Sequence, residues 1–332
     1  MSFVASNDPP STTSHLLSCV IVNYRTPHFL IDCLPGLLHE LSDLDAQVVI
    51  VDNDSQDGSA DTLREWVRAH QAGNRVSVLD SGFNGGFSFG NNFGIRAMPA
   101  QYYLLLNSDT LIRPGAIHTL LDAAYQHPEA GILSPRLEWP DGTGQESCFR
   151  YPSPWSEFSD AAKTGVLDRL LARHTVAMPV QDSIARPEWT SFACVLIRST
   201  VFNEIGLLDE GYFMYFEDVE FCLRTRHAGW DIVHDPAAHV VHLRGGSSPL
   251  KEQTRLRRRL PRYFYQSRTR FYRQSAGILG PTVANLMWWL GRLVSGPRQL
   301  LGRDDKRPPE RQGHDIWTNW LHPLKPWAPP RT

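Results

Sequence analysis

Three polar clusters in this chain have the residue types that handle phosphate and hydroxyl groups. They are Asn23-Tyr24-Arg25, Asp52-Asn53-Asp54 and Asn107-Ser108-Asp109, and each closes an apolar run. Asn, Asp and Ser also favour turns and helix caps, so each cluster alone reads equally well as turn chemistry. Asp109 is a lone carboxylate at a strand end. Such a group can hold Mg2+ or Mn2+, which take one or two carboxylates plus phosphate and water. Asn107 stands where a second acid would strengthen that site. Between the second and third clusters runs Phe83-Asn84-Gly85-Gly86-Phe87, continuing to Gly90-Asn91-Asn92. It is neither GxGxxG after a first strand nor GxxxxGK(S/T). It serves either as a tight turn with close helix packing or as backbone beside a ligand. Glu217 and Asp218 open a helix behind the aromatic run Tyr212–Phe216. Acids there complement the helix dipole. They also fit a general base behind an apolar wall, with Glu220 a plain first-turn acid. His239 and His242 have an HxxH spacing, but no third or fourth ligand lies near in sequence, so zinc is not supported.

These residues need a scaffold. Leu16–Val22, Gln47–Val51, Arg75–Leu79 and Tyr102–Leu106 read as strands, the first a continuous apolar run typical of burial on both faces. Phe29–Leu41, Ser59–His70, Gly86–Ala97 and Pro114–Gln126 read as helices between and after them. The βαβαβαβα order predicts a parallel, doubly wound sheet over the first 130 residues. Ligands bind beyond the carboxyl ends of such strands, where all three clusters fall. Trp139–Arg186 has no steady period and reads as loops with a short helix near Ser159–Arg173. A strand at Trp189–Ile197, helices at Ser199–Ile205 and Glu217–Ala228 and an extended stretch at Asp231–Val241 follow.

Composition narrows the class. The chain has 332 residues, 42% hydrophobic and 20% charged, which suits a packed globular protein of one large or two ordinary domains. The net charge of −2 gives no global case for nucleic acid. Five cysteines without CxxC fit a reducing cytosol better than a disulfide framework. Residues 1–15 read as a disordered leader without a signal peptide. Between Arg273 and Arg292 lie 18 uncharged residues, interrupted by Gly, Pro and Asn, which suits an interfacial helix better than a span. Lys251–Arg273 carries nine Lys and Arg against one Glu, interleaved with Tyr263, Phe264, Tyr265, Phe271 and Tyr272. Basic and aromatic residues together suit an anionic membrane surface.

The ordered set resembles family 2 glycosyltransferases of the GT-A fold, particularly bacterial rhamnosyltransferase-like members. The match runs through Val20–Tyr24, Val51–Ser55 with Asp57-Gly58-Ser59, Asn84–Phe87 with Gly90–Asn92, Leu105–Asp109 and Phe213–Glu220. It ends with Arg224, Ala228-Gly229-Trp230 and His242 before Gly246-Ser247-Ser248. The resemblance implies a Rossmann-like, mostly parallel sheet flanked by helices over residues 16–250. The nucleotide-sugar half would be 16–130 and the acceptor half 131–250, followed by a basic, aromatic helical extension at 251–332. It implies inverting transfer from a nucleotide diphosphate sugar, best dTDP-L-rhamnose, with Mg2+ or Mn2+, to a saccharide or lipid-linked acceptor in cell-surface polysaccharide synthesis. A UDP-hexose or galactofuranose donor, or a catalytically silent binding subunit, are the alternatives. Asp52 would contact the pyrimidine. Asn23, Tyr24, Asn84, Gly85, Gly86, Asn91 and Asn107 would border the donor, and Asp109 and His242 would meet the metal. Asp218, with Glu217 beside it, would be the base. The expected setting is the cytoplasm, peripheral on the membrane, with no nucleic-acid partner. Two places depart from the family pattern. Trp189–Ala193 stands where a Trp with Gly-Ala is usual, and Asn107-Ser108-Asp109 where Asn-Pro-Asp or Asp-x-Asp is common.

Overall fold

The apolar run at Leu16–Val22 forms β1 (His15–Asn23), buried along most of its length. A computed structural model describes residues 15–162, 169–243, 250–300 and 307–328. From β1 the chain runs through α1 (Pro27–Glu40), β2 (Ala46–Asp52), α2 (Ser59–Ala69), β3 (Val76–Asp80), α3 (Gly86–Ala97) and β4 (Ala100–Asn107). β5 (Thr110–Ile112), α4 (Ala116–Gln126), β6 (Ala130–Glu138), β7 (Cys148–Phe149) and α5 (Pro154–Ala162) follow. After them come β8 (Trp189–Thr190), β9 (Cys194–Arg198), α6 (Ser199–Ile205), α7 (Glu217–His227) and β10 (Asp231–His242). The last elements are α8 (Leu250–Arg255), α9 (Arg262–Ala276), α10 (Gly280–Leu300) and α11 (Gln312–Asp315).

Eight strands form one sheet in the order β3-β2-β1-β4-β9-β6-β10-β5. The half from β3 to β4 is parallel, as the sequence predicts. Beyond it the sheet is mixed: β9 runs antiparallel to both β4 and β6, and β5 antiparallel to β10. Leu34 and Leu37 of α1, Leu63 of α2 and Leu120 of α4 cover one face. Ile95 of α3, Phe202 of α6 and Phe221 of α7 cover the other.

Three elements differ from the sequence reading. β6 was not expected, because Gly131 and Pro135 interrupt it. The sheet accommodates Pro135 at a bulge, where pairing jumps from Asp235–Pro135 to His239–Arg136. The single strand expected at Trp189–Ile197 is two strands in different sheets. The Ser191 hydroxyl takes the Ala193 amide and turns the chain between them. Of the short helix expected near Ser159–Arg173, the described residues show α5 through Ala162, helix again at Arg169 and Leu170, and a 3-10 turn at Ala172–His174. Residues 1–14, which hold most of the expected leader, and Arg244–Ser248 of the family motif lie outside the described residues, as do 163–168, 301–306 and 329–332.

The helices after β10 pack onto the sheet domain. α10 lies on α5, so closely that a Cβ on Gly291 would come within 2.4 Å of the Phe158 carbonyl. Arg268 of α9 is 4% exposed and donates to Glu157 of α5 at 2.9 Å and Asn285 of α10 at 2.7 Å. The aromatic residues of α9 point inward: Tyr265, Phe271 and Tyr272 are buried. These three rings therefore pack on the sheet domain and do not take part in a surface with the basic residues.

Candidate active site

The parallel register sets the carboxyl ends of β1, β2 and β4 in a row, pairing Asn23 with Asp52 and Val22 with Asn107. Asn23 Nδ2 donates to Asp52 Oδ2 at 2.7 Å, and the Ser55 hydroxyl donates to the same oxygen at 2.7 Å. The Ser55 amide takes Asp52 Oδ1 at 2.9 Å. Asn23 Oδ1 accepts from the Thr26 amide and hydroxyl, and Thr26 meets Ser108 at 3.1 Å. This network joins the first and third clusters beneath the sheet edge. Tyr24 stands above it, 43% exposed.

Asn53 joins the second cluster to the Gly-rich segment, donating to Asn84 Oδ1 at 3.1 Å and the Gly86 carbonyl at 3.0 Å. Gly86 has φ of +86°, and a Cβ there would fall 1.9 Å from the Phe213 carbonyl oxygen. The next amide, Phe87, donates to that same carbonyl at 2.8 Å. Only glycine meets both demands. This contact binds the entry of α3 to the aromatic run before Glu217.

That run is tightly held. Tyr215 and Phe216 both have positive φ, +69° and +68°, which is rare for bulky residues. Such strain persists only where the surroundings over-determine it. α9 supplies them: Phe264 and Phe271 pack on Phe216, Tyr263 on Tyr215, and the Ser267 hydroxyl donates to the Met214 carbonyl. Arg270 adds a fork onto Asp209 at 2.9 and 3.0 Å. Further along the chain, Trp327 stacks on Phe213 at 4.1 Å and meets Phe83 of the Gly-rich segment at 6.1 Å.

Glu217 and Asp218 follow. Glu217 is buried, and its Oε2 has no hydrogen-bond partner among the described residues. Burial, and then the Asp218 charge, push its carboxyl well above the usual range. Asp218 is half-buried. Burial pushes it up to about 7, partly offset by the Val219 and Phe192 amides. Phe192 lies in the turn between β8 and β9, whose Ala193 carbonyl accepts the Asn107 amide at 2.8 Å. One turn therefore touches both the base candidate and the end of β4.

Pairing of β10 with β5 sets His242 opposite Thr110 and so beside Asp109. His242 Nε2 is 3.6 Å from Asp109 Oδ1, and the Leu243 amide donates to the Asp109 carbonyl. His242 Nδ1 is buried without a hydrogen-bond partner among the described residues. His239, three residues back, instead pairs with Glu138 at 2.9 Å.

A family model described as glycosyl transferase family 2 matches residues 18–162. A low-salt glycan biosynthesis hexosyltransferase of Haloferax volcanii is 30% identical over 230 residues, covering 68% of this chain and 66% of that protein. An N-acetylglucosaminyl-diphospho-decaprenol L-rhamnosyltransferase of Mycobacterium tuberculosis is 30% identical over 217 residues, or 60% of this chain and 67% of that protein. This chain belongs to glycosyl transferase family 2. The glycosyltransferase spans about two thirds of the length of both relatives. A mannosyltransferase of Pyrobaculum calidifontis, solved with GDP-Man and Mn2+, shares its GT-A fold with a TM-score of 0.54. The two are 12% identical, over 96% of this chain and 87% of that one.

In the glycosyltransferase, Asn23, Tyr24, Asp52, Asn84, Gly85, Gly86, Asn107, Asp109 and His242 gather at one edge of the sheet. Two of the expected donor-side asparagines are committed inside. Asn23 is 0% exposed and holds Asp52, Ser55 and Thr26, so it braces the strand ends from beneath; Asn91 is 1% exposed and donates to the Phe87 carbonyl of its own helix, so it braces α3. The amides expected beside a ligand are partly committed too, Gly85 to the Phe83 carbonyl and Gly86 to Asn84. Sequence reasoning gave Asn53, Thr26 and Arg270 no separate role. Asn53 alone had a signal, as the middle of a cluster. Among the described residues, no three His, Cys, Asp or Glu form a metal-holding group. Asp109 with His242 still fits a divalent cation whose other ligands come from phosphate and water. The carboxylate is hard, and the imidazole Nε2 stands 3.6 Å from it, where both could reach one ion.

Proposed function

We propose that this glycosyltransferase inverts the anomeric centre as it moves one sugar from a nucleotide diphosphate donor to a hydroxyl of a saccharide or lipid-linked acceptor. One observation carries the reading. Asp218 opens α7 half-buried at the rim of the site, behind the Tyr212–Phe216 run and beside the buried Glu217, and burial lifts it to about 7. A base works best with a pKa near the operating pH. Asp218 takes the acceptor proton as the oxygen attacks. One carboxylate suffices because single inversion forms no sugar–enzyme bond, unlike a retaining hydrolase.

The donor nucleotide lies over the edge formed by Asn23, Asp52, Asn84 and Asn107. Tyr24 is the exposed ring at the base end, and Asp52 contacts the pyrimidine in addition to the bonds it already makes. Asp109 and His242 would hold the Mg2+ or Mn2+, which offsets charge on the leaving diphosphate. Tyr212 to Phe216 and the α9 aromatics exclude water from the base. The donor we favour is dTDP-L-rhamnose, supported by the rhamnosyltransferase name of a relative whose acceptor is a decaprenol-linked saccharide. Cell-surface polysaccharide synthesis at the cytoplasmic membrane face is the matching setting. A donor screen reading released dTDP against UDP tests this. Turnover with dTDP-L-rhamnose is expected, and turnover with UDP-hexoses alone overturns the donor assignment. Nucleotide binding without turnover on any donor would overturn the enzymatic role of the site and favour a silent binding subunit.

A further inference from the structure

α10 is apolar on two sides. Ala284, Trp288 and Gly291 are buried against the rest of the protein. On the other side Val283, Leu286, Leu290 and Leu293 are 42, 57, 48 and 72% exposed, and Leu279 just before the helix is 66% exposed. Their spacing, every three or four residues, makes one stripe along the helix. At 1.5 Å per residue its helical part is about 15 Å long. A contiguous uncovered stripe of this kind marks an interaction surface.

Charge selects its occupant. α10 contains no Asp or Glu, and its charges are Arg292 and Arg298. Residues 251–300 hold eleven Lys and Arg against one Glu, while the whole chain nets −2. Arg268, Arg270 and Arg259 are paired with Glu157, Asp209 and Asp315, so the exposed positive charge of this stretch lies at the turn before α9. Arg255, Arg258 and Arg262 are exposed. α11 links this cluster to the stripe: Arg259 pairs with Asp315 at 2.8 Å, and a Cβ on Gly313 would lie 2.8 Å from the half-exposed Trp289 ring. A second copy of the chain would set like charge against like. An anionic lipid surface meets leucine, tryptophan and arginine together. Among the described residues no helix is long and apolar enough to cross a membrane.

We propose that α10 lies in the plane of an anionic membrane, its leucine stripe in the acyl boundary and the 255–262 arginines on the headgroups. The idea deepens the lipid-linked reading of the acceptor and rests on it for its purpose, but binding is measured without transfer. The test is sedimentation of the full chain with phosphatidylcholine vesicles, with and without phosphatidylglycerol. Wild type should bind only the anionic vesicles, and more weakly as salt rises. Leu286→Gln with Leu290→Gln should cut binding about tenfold or more, since each buried methylene contributes. Arg255→Gln with Arg258→Gln should remove the preference for phosphatidylglycerol. Both variants should keep wild-type melting and affinity for dTDP with Mn2+. Wild type unbound at low salt, or a leucine variant that binds like wild type, overturns the proposal. So does a wild-type dimer that the leucine change dissolves, with no vesicle binding. Vesicle binding without transfer to any lipid-linked acceptor would instead overturn the acceptor reading and leave this one standing.

Discussion

Asp218 and Glu217 are adjacent carboxyls that burial pushes up, and the base role proposed for Asp218 is open to direct test. Asp218→Asn keeps the shape and removes the base, so transfer should fall by roughly 10²–10⁴ while donor affinity holds. Steady-state kinetics and calorimetry check the two halves separately. Because Asp218 sits at about 7, kcat should rise with pH through about 7 and level off above it. Stability should run the opposite way. An unfolded aspartate loses its proton near about 3.9. From there up to about 7 the native state keeps a proton that the unfolded state has released, so stability falls as pH rises across that window. Thermal melts at several pH values should show that slope, and Asp218→Asn should reduce it. Asp109→Ala should abolish the part of nucleoside diphosphate affinity that depends on Mn2+. His242→Ala should weaken it less, since an imidazole brings one ligand and no charge. Titration with and without EDTA reads both.

At the scale of elements, the site depends on contacts between segments remote in sequence. Gly86 is the sharpest case. Gly86→Ala forces the Gly-rich segment away from Phe213, and a displacement near 1 Å can cost about 10²-fold in rate. We expect kcat to drop to that extent and the melting temperature to fall as well, since alanine is strained at positive φ; kinetics at a temperature where the variant is fully folded separates the two effects. The parallel half of the sheet was legible in the sequence because its strands are uninterrupted apolar runs and its helices have a helical period. The edge clusters were legible because their position follows from strand direction alone. β6 was not, because Pro135 breaks the pattern, and only its partner's bulge makes it tolerable. Asn91 misled for a related reason: a buried asparagine that bonds its own helix has the same letter as one facing a ligand. The α9 support for Tyr215 and Phe216 was invisible, since sequence spacing says nothing about which segment packs behind another.

At the scale of the whole molecule, the C-terminal helices are part of the catalytic scaffold as well as a basic face. Arg268 ties α9 to α5 and α10 inside the protein. Arg268→Ala leaves Glu157 without its buried partner and should cost about 3–5 kcal/mol. Chemical denaturation measures this, and the loss should exceed that of Arg258→Ala, which removes an exposed charge.

The fork of Arg270 on Asp209 also imposes an order in time. The two residues are 61 positions apart, and the later one holds the earlier. A ribosome adding roughly 5–20 residues per second needs about 3–12 seconds to make that stretch. During those seconds Tyr212 to Phe216 has left the peptidyl transferase centre without the helix that covers it. The nascent chain therefore carries an uncovered aromatic segment, the kind of surface a holding chaperone meets, and gains its catalytic geometry only after α9 has emerged.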